Sequence, residues 1–349
     1  MSHSRRIALG IVWLLLSVGY MYFLFSRQPG NPPRTDFYAP WYGSRELLHG
    51  RSPYRSDVSN ATQTFYYGHP LAGGDKRDQH RFVYPAYIVL VLLPTLWLPF
   101  PLARAAMSIL LLFGAYLCAR ISIGMLKRAK PDSIRVPEIA ITIFVLISPP
   151  VIHGLVLQQP GSLVAVLVVG ALALVMYGQL AWAGIVLAVA TSKPQLAVLP
   201  VLWFVAWALS EVRTRWSLLA GFFSVWALLV GMGALLMGPG WIREWLASLA
   251  AYRTYAGHSG AELFFGQRTG QAVAILTVFW LLVKMIHLRA IPARSLAFLG
   301  STSGLLAVSV FIVPGLLALY NCILLVPGLL VATRRWIATS DSHLILPAS

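Results

Sequence analysis

One acidic residue, Asp36, stands at the head of an aromatic-rich stretch, TDFYAPWYGSRELLHGRSPYR, which follows the first apolar segment of the chain. A carboxylate can take a proton from a hydroxyl group and so act as a general base. It can equally stabilise a helix, because the positive end of the helix dipole attracts an acidic side chain in the first turn. The local sequence leaves both interpretations open.

The residues around Asp36 predict a short helix over 36–49. Thr35 is a good N-cap residue, Gly50 suits the position after the C-cap, and a proline follows shortly afterwards. We therefore expect Asp36 in the first helical turn. Aromatic residues favour the headgroup zone of a membrane, which predicts that this helix is interfacial. The aromatic residues concerned are Tyr38, Trp41 and Tyr42.

The composition is that of an all-α, polytopic membrane protein. Hydrophobic residues make up 58% of the 349 residues and charged residues only 11%, against about 25% charged residues in a soluble domain. Apolar runs of roughly 17–25 residues can cross a bilayer as helices, and such runs recur along the chain. We expect a single integral-membrane domain over 1–349. The apolar segments lie at roughly 7–25, 83–100, 103–126, 136–154, 159–177, 180–191, 195–210, 216–237, 270–288, 295–312 and 314–332.

The net charge of +16 does not indicate nucleic-acid binding. The basic residues stand at the ends of apolar segments, where the positive-inside rule and anionic lipid headgroups favour them. No compact basic domain is present in the sequence, so we expect membrane lipids as partners and no nucleic acid.

The short basic loops predict the topology. The basic stretches are SRR near the N-terminus, 127–135, 211–216, 287–294 and 333–336. Placing all of them in the cytoplasm requires an even number of crossings between the N-terminus and Lys127. Three apolar segments precede it, and the weakest, 83–100, contains three prolines, which break helical hydrogen bonding. We therefore expect 83–100 to be re-entrant or shallow.

The resulting bundle has about ten spans, with both chain termini in the cytoplasm. The two long hydrophilic stretches, about 26–82 and about 238–269, then become outer loops. Because long loops in compact proteins are often functional, this arrangement predicts an active site on the outer face.

The sequence contains no metal or nucleotide signature. None of the 8 histidines pairs with another at a spacing typical of metal ligands. The phosphate-binding loop and the dinucleotide fingerprint are also missing from the sequence. We therefore name no metal-binding residues and expect no cofactor; the sequence leaves metal dependence open.

Several short motifs occur along the chain in a fixed order. They are D-F-Y with R-x-L-L-x-G-x-x-P-Y (Asp36 to Tyr54), an aromatic block with Tyr84-Pro85, QQPGS (158–162), AGIVLAVATSKPQLAVLPVLW (183–203) and FIVPGLLALYNCILLVPGLL (311–330). Together they resemble bacterial glycosyltransferase family 87 of the GT-C superfamily. The chain departs from the family pattern at Ala86, where proline is common, in the turn 158–162, which lacks an asparagine, and at Asn321, where aspartate is common.

The resemblance implies a GT-C-like fold and a hexosyltransferase of the bacterial cell membrane. Such an enzyme moves a sugar, by default mannose, from a polyprenyl-phosphate donor to a hydroxyl of a glycolipid or glycan acceptor at the outer face. The lipid-linked sugar donor is a substrate rather than a cofactor. It also implies that Asp36 is the general base. One direct displacement by the activated hydroxyl would invert the anomeric centre.

The chemistry also requires groups that bind the donor phosphate and the sugar. Arginine suits phosphate because its planar fork binds two oxygens at once, and a lysine or histidine can add charge. The candidates for phosphate are Lys193, Arg253, His258 and Arg268, and those for sugar hydroxyls are Gln159, Gln195, Tyr84 and Tyr320. The alternatives are a lysine that snorkels to the interface and polar residues that link helices.

A transporter or lipid flippase without transferase activity is the alternative function. Transporters use broken helices at sites near the middle of the membrane, and the turn at 192–195 is such a break. A transporter predicts essential polar residues at mid-depth, whereas an enzyme of the proposed kind predicts them at the outer boundary.

Overall fold

The computed structural model describes residues 35–72, 74–75, 77–131, 134, 136–253, 258–315 and 317–333. The predicted first span, 7–25, lies outside these residues. Helices are the only regular secondary structure within them, so the prediction of an all-α protein is confirmed.

The helices follow one another in chain order. They are α1 Tyr38–Leu48, α2 Ser56–Tyr67, α3 Val89–Leu96, α4 Phe100–Ala129, α5 Glu138–Leu146, α6 Pro149–Leu157, α7 Gly161–Met176, α8 Leu180–Ala190, α9 Pro194–Leu209, α10 Val212–Met237, α11 Trp241–Tyr252, α12 Gly260–Phe265, α13 Gln267–Leu288 and α14 Leu296–Ile312. A 3-10 turn, Ala86–Ile88, leads into α3. The last apolar stretch, Leu319–Thr333, begins with the 3-10 turn Leu319–Leu325.

The chain packs as two compact units. The first contains the described residues up to 113, residues 153–163 and residues from 230 to 253. The second contains 114–152, 164–229 and the described residues from 258 onward. Both stretches predicted as outer loops carry helices: α1 and α2 in the first, α11 and α12 in the second.

Within the part of the chain that the structure describes, three helices are long and apolar enough to cross a membrane. They are α4, α10 and the part of α13 from Gln267 to Met285. The pair α5 and α6 passes the same test as one broken unit, which brings the number to as many as 4. The other predicted spans that lie within the described residues contain shorter apolar helices.

The segment predicted as one span at 136–154 is bent. Its two helices, α5 and α6, meet at an angle of 45°. The cause is the Pro149-Pro150 pair, because each proline lacks an N–H donor and its ring clashes with the preceding turn. The helical part also extends further than predicted, to Leu157.

The proline-rich segment 83–100 forms only one short apolar helix, Ala86–Leu96. At 1.5 Å per residue its length is about 16 Å, roughly half the thickness of the hydrocarbon core. Other apolar helices in the described residues are similarly short, such as Leu180–Ala190, so the re-entrant or shallow placement of 83–100 stays a prediction.

Helix α1 begins later than predicted. Thr35 does not cap it and Asp36 is not in its first turn, because the helix starts at Tyr38 after Phe37. The physical reason is Pro40, which fits the first turn of a helix but would clash with the turn before it if the helix began at Asp36. The predicted end is confirmed, since Gly50 follows the C-cap with a φ of 75°.

Helix α1 is largely buried within the first unit, and its aromatic residues form the centre of a ring cluster. The Trp41 indole Nε1 donates to the Thr95 carbonyl at 3.1 Å. The Tyr38 ring stacks on the Phe65 ring, with centroids 3.5 Å apart, and meets the Phe100 ring edge-on. These contacts fix α1, and with it the short segment that carries Asp36.

Two glycines in the second unit bring α8 and α10 into backbone contact. A Cβ atom at Gly184 would overlap the carbonyl oxygen of Leu218 and the amide nitrogen of Phe222. On the facing helix, a Cβ atom at Gly221 would overlap the carbonyl oxygen of Ala181. Small residues allow this kind of close approach between membrane helices.

Replacing Gly184 with alanine should therefore destabilise the protein. We expect an overpacking cost of about 1–3 kcal/mol, measured as a lower Tm of the purified protein in detergent. Gly170→Ala is the matched control, because its Cβ position has no neighbour within 4 Å and alanine favours the helix. Equal Tm values for the two variants would contradict the close packing.

Candidate active site

The Asp36 carboxylate is held by side chains from two distant parts of the sequence. Gln159 donates from Nε2 to Asp36 Oδ2 at 2.8 Å. Tyr84 donates from its hydroxyl to Gln159 Oε1 at 3.2 Å. Gln159 therefore joins two other residues that the sequence analysis named as candidates, Asp36 and Tyr84. Gln159 is buried and Asp36 only half-buried.

The backbone around Asp36 lies against the turn between α6 and α7. The Asp36 amide donates to the Leu157 carbonyl at 2.7 Å, and Thr35 Oγ1 donates to Gln158 Oε1 at 2.6 Å. On the other side, the Tyr66 hydroxyl donates to the Thr35 carbonyl at 2.6 Å. This short segment is thus fixed at its amide, its carbonyl and its side chain.

Gln158 and Arg104 form a buried polar layer beneath Asp36, and neither was a sequence candidate for the site. Gln158 is fully buried and has a φ of 51°, in the left-handed region that non-glycine residues rarely adopt. Its Oε1 also accepts from Arg104 Nε at 3.1 Å. Strained residues of this kind cluster at functional sites.

The sequence did contain a signal for Arg104. It is a charged residue within an apolar segment, PLARAAMSILL, and such residues mark functional sites in membrane proteins. No comparable signal was available for Gln158, because its unusual backbone angle is visible only in the structure.

The segment that carries Tyr84 is held by three side-chain donors. The carbonyl groups of three consecutive residues each accept a hydrogen bond from elsewhere in the first unit. The pairs are Ser248 Oγ to the Phe82 carbonyl (2.7 Å), Trp245 Nε1 to the Val83 carbonyl (3.1 Å) and the Tyr54 hydroxyl to the Tyr84 carbonyl (2.7 Å). Helix α11 therefore positions Tyr84 and, through it, Gln159.

Two tyrosines respond to the negative charge of Asp36. Burial, with a smaller contribution from Asp36, raises the pKa of the Tyr66 hydroxyl well above its ordinary value. Burial, followed by the charges of Asp78 and Asp36, raises the pKa of Tyr252 to about 12. Both hydroxyls therefore stay protonated at neutral pH and can act as hydrogen-bond donors.

Lys193 and Tyr320 meet in the second unit. Lys193 is the N-cap residue of α9 and lies within the predicted break at 192–195. Its Nζ lies 5.2 Å from the centroid of the Tyr320 ring. Gln195 is half-buried in the first turn of α9, and Asn321, next to Tyr320, is fully buried.

The other three basic candidates are exposed. Arg253 is the C-cap residue of α11 in the first unit. His258 and Arg268 belong to the second unit, where His258 Nδ1 lies 3.9 Å from the Glu262 carboxylate and Arg268 is in the first turn of α13. Across the described ranges, no group of three or more His, Cys, Asp or Glu side chains could hold a metal ion.

These features define an all-helical membrane protein with a carboxylate site in its first unit. Its sequence matches glycosyltransferase family 87 over residues 82–347, which is most of the chain, so the protein belongs to that family and is a glycosyltransferase. In the comparisons with curated proteins and with solved structures, no match was found. The matched range includes Tyr84, Gln159 and Lys193 but begins after Asp36.

The hydroxyl of Thr35 should affect catalysis through the position of Asp36. Replacing Thr35 with valine removes the bond to Gln158 and the bond that the Phe37 amide donates to Thr35 Oγ1. Loss of a buried hydrogen bond costs about 1 kcal/mol, so we expect kcat for sugar transfer to fall about 5- to 10-fold. Thr35→Ser should restore it.

The matched control is Thr64→Val, which removes an exposed hydroxyl that bonds only to the Asn60 carbonyl within its own helix. We expect this variant to keep wild-type turnover. A Thr35→Val enzyme with normal kcat would show that the contact with Gln158 does not position Asp36.

Proposed function

We propose that the protein transfers a sugar from a polyprenyl-phosphate donor to an acceptor hydroxyl, with Asp36 as the general base. The observation that supports this most is the hydrogen bond from Gln159 to Asp36. It orients a carboxylate that remains partly accessible, in a chain that belongs to a glycosyltransferase family. The acceptor is a glycolipid or glycan, and mannose is the default sugar.

The chemistry is one displacement. Asp36 takes the proton of the acceptor hydroxyl while its oxygen attacks the anomeric carbon of the donor sugar. The bond from that carbon to the phosphate oxygen breaks, and polyprenyl phosphate leaves with the bonding electrons. Attack opposite the leaving group inverts the anomeric centre.

Tyr84 determines the orientation of the Gln159 side-chain amide. Because the tyrosine hydroxyl donates to Gln159 Oε1, the amide NH₂ group of Gln159 faces the Asp36 carboxylate. An amide held in this orientation can only donate to the carboxylate. Asp36 is therefore fixed by a neutral donor, which leaves its negative charge in place.

The donor phosphate is assigned to Lys193. Its position at the first turn of α9 combines a lysine charge with the positive end of a helix dipole, and the contact with the Tyr320 ring orients the side chain. The other candidates, Arg253, His258 and Arg268, are exposed and lie at or beside helix ends, where they could add positive charge near the phosphate.

The placement at the outer face of the bacterial cytoplasmic membrane rests on the loop charges. Short basic loops favour the cytoplasm, which leaves the stretches 26–82 and 238–269 on the opposite side. The bundle of about ten spans and its GT-C architecture belong to the same proposal.

The direct test compares wild type with Asp36→Asn in an assay of polyprenyl phosphate released from polyprenyl-phosphate mannose, with bacterial membrane lipids as acceptor. Asparagine keeps the shape of the side chain but cannot take the proton, so kcat should fall about 10²- to 10⁴-fold. Asp57→Asn is the matched control, because Asp57 is exposed in the same unit and pairs with Arg55.

Full turnover by the Asp36→Asn variant would show that Asp36 is not the general base. If the wild-type protein turns over neither polyprenyl-phosphate mannose nor the corresponding glucose donor, the proposed class of donor is wrong instead. The two results distinguish an error in the residue from an error in the substrate.

Lys193 should affect the KM for the donor more than the KM for the acceptor. Replacing it with methionine removes a charge from the donor phosphate, so we expect the donor KM to rise about 10-fold or more. Lys284→Met is the matched control, since Lys284 also lies over an aromatic ring, that of Trp280, but on an exposed position of α13. Equal donor KM values for the two variants would contradict this assignment.

A further inference from the structure

A groove of about 470 Å³ runs along α1, the helix that begins directly after the Asp36 segment. Its volume falls in the range of about 300–1,000 Å³ typical of small-molecule sites. We call it the α1 groove. Aromatic and charged residues line it: Tyr38, Trp41, Tyr42, Arg45, Glu46 and Arg51, with His49 at its exposed end.

The end of α1 brings Arg51 into this groove. The Arg51 amide donates to the Glu46 carbonyl and the Gly50 amide to the Leu47 carbonyl, which is the Schellman pattern of a helix that ends in a left-handed glycine. The chain therefore turns back, and the Arg51 guanidinium pairs with the buried Glu46 carboxylate at 2.5 Å.

Among the described residues that line the groove, Glu46 is the only acidic one, and Arg51 already neutralises it. The same carboxylate accepts a hydrogen bond from Tyr42, and burial together with its charge raises the pKa of the Tyr42 hydroxyl. The next acidic residue to act on Tyr42, Asp57, is paired with Arg55. The groove thus keeps one positive charge in excess.

Arg45 carries that excess charge. Its guanidinium lies over the Trp41 ring, 4.8 Å from the centroid, and has no carboxylate within 4.0 Å among the side chains that the structure describes. A cation in the last turn also complements the helix dipole, but this role leaves the guanidinium N–H donors available. A planar guanidinium held against an aromatic ring is suited to bind two oxygens of one phosphate.

We propose that the α1 groove binds a phosphate ester carried by the acceptor, through the fork of Arg45. The inference rests on the proposed function and names the acceptor class: sugar phosphates or glycolipids with a phosphate in the headgroup. Arg45 lies about 10 Å along the helix from Tyr38, so the phosphate is held at one end of α1 and Asp36 precedes the other. The groove thus determines which acceptors reach the base.

The test measures binding of glucose 6-phosphate by saturation-transfer NMR to the full-length protein in phosphatidylcholine nanodiscs. A Lys193→Met background removes the proposed donor-phosphate contact. Arg45→Met should weaken binding about 10-fold or more, and Arg45→Lys should recover part of it, because lysine keeps the charge but lacks the fork. Arg243→Met, at an exposed arginine on α11, should bind as the background does.

Two results would overturn the inference: equal affinity of Arg45→Met and its background, or equal binding of neutral glucose and glucose 6-phosphate. Nanodiscs rich in phosphatidylglycerol separate the two sources of phosphate. If this lipid abolishes probe binding, the groove belongs to phospholipid headgroups and the acceptor role is overturned; if binding persists, the acceptor role is supported.

Binding requires no turnover, so the inference and the proposed function fail separately. If the protein transfers sugar but binds the probe independently of Arg45, only the inference of an acceptor site at the α1 groove is wrong. If the protein binds the probe through Arg45 but does not transfer sugar from polyprenyl-phosphate donors, only the proposed reaction is wrong.

Discussion

The site depends on one hydrogen bond, from the Gln159 amide to the Asp36 carboxylate. It joins a segment that precedes α1 to the turn between α6 and α7, which lies more than a hundred residues further along the chain. The bond can form only if the two backbones are already in contact, and the Asp36 amide to Leu157 carbonyl bond supplies that contact. Every other feature of the site either supports this junction or uses it.

The polar side chains that support this junction cost free energy, because they are buried in a largely apolar protein. Polar groups withdrawn from water must find partners, or each costs about 1–3 kcal/mol. The Thr35 hydroxyl and the Arg104 Nε both donate to Gln158 Oε1, so one side chain accepts from two buried donors. Gln158 adopts an unfavourable backbone angle to do so, and we interpret this as strain retained for the position of Asp36.

The same junction connects the two hydrophilic stretches, which are far apart in the sequence. Helix α11 fixes the backbone before Tyr84 through Trp245 and Ser248, and Tyr84 in turn orients Gln159. A chain of hydrogen bonds therefore connects the second hydrophilic stretch to a carboxylate in the first. Sugar transfer would then depend on residues that touch neither donor nor acceptor.

Much of the fold was predictable because it follows from composition and from strong local signals. The apolar content predicted helices, Gly50 predicted the end of α1, and the Ser192–Gln195 turn predicted the break before α9. The start of α1 was wrong, because the restriction imposed by Pro40 outweighs the capping preference of Thr35. The bend between α5 and α6 was missed because apolar content alone does not show the effect of two adjacent prolines.

The candidate site was predictable only in part. Asp36, Tyr84 and Gln159 were named from the sequence, and Gln159 joins the other two. Their contact could not be derived from spacing, because it depends on tertiary packing. Gln158 and the α1 groove were missed, since a backbone angle and the fold-back of Arg51 become visible only in three dimensions. Arg104 was missed although its charge within an apolar segment was visible in the sequence.

The central claim is that Gln159 acts through Asp36, and a double-mutant cycle on kcat tests it most directly. Gln159→Leu removes the amide donor, Asp36→Asn removes the base, and the third variant carries both changes. The account predicts that Gln159→Leu lowers kcat about 10-fold in the wild-type background and has little effect once Asp36 is asparagine. Equal, additive effects in both backgrounds would contradict it.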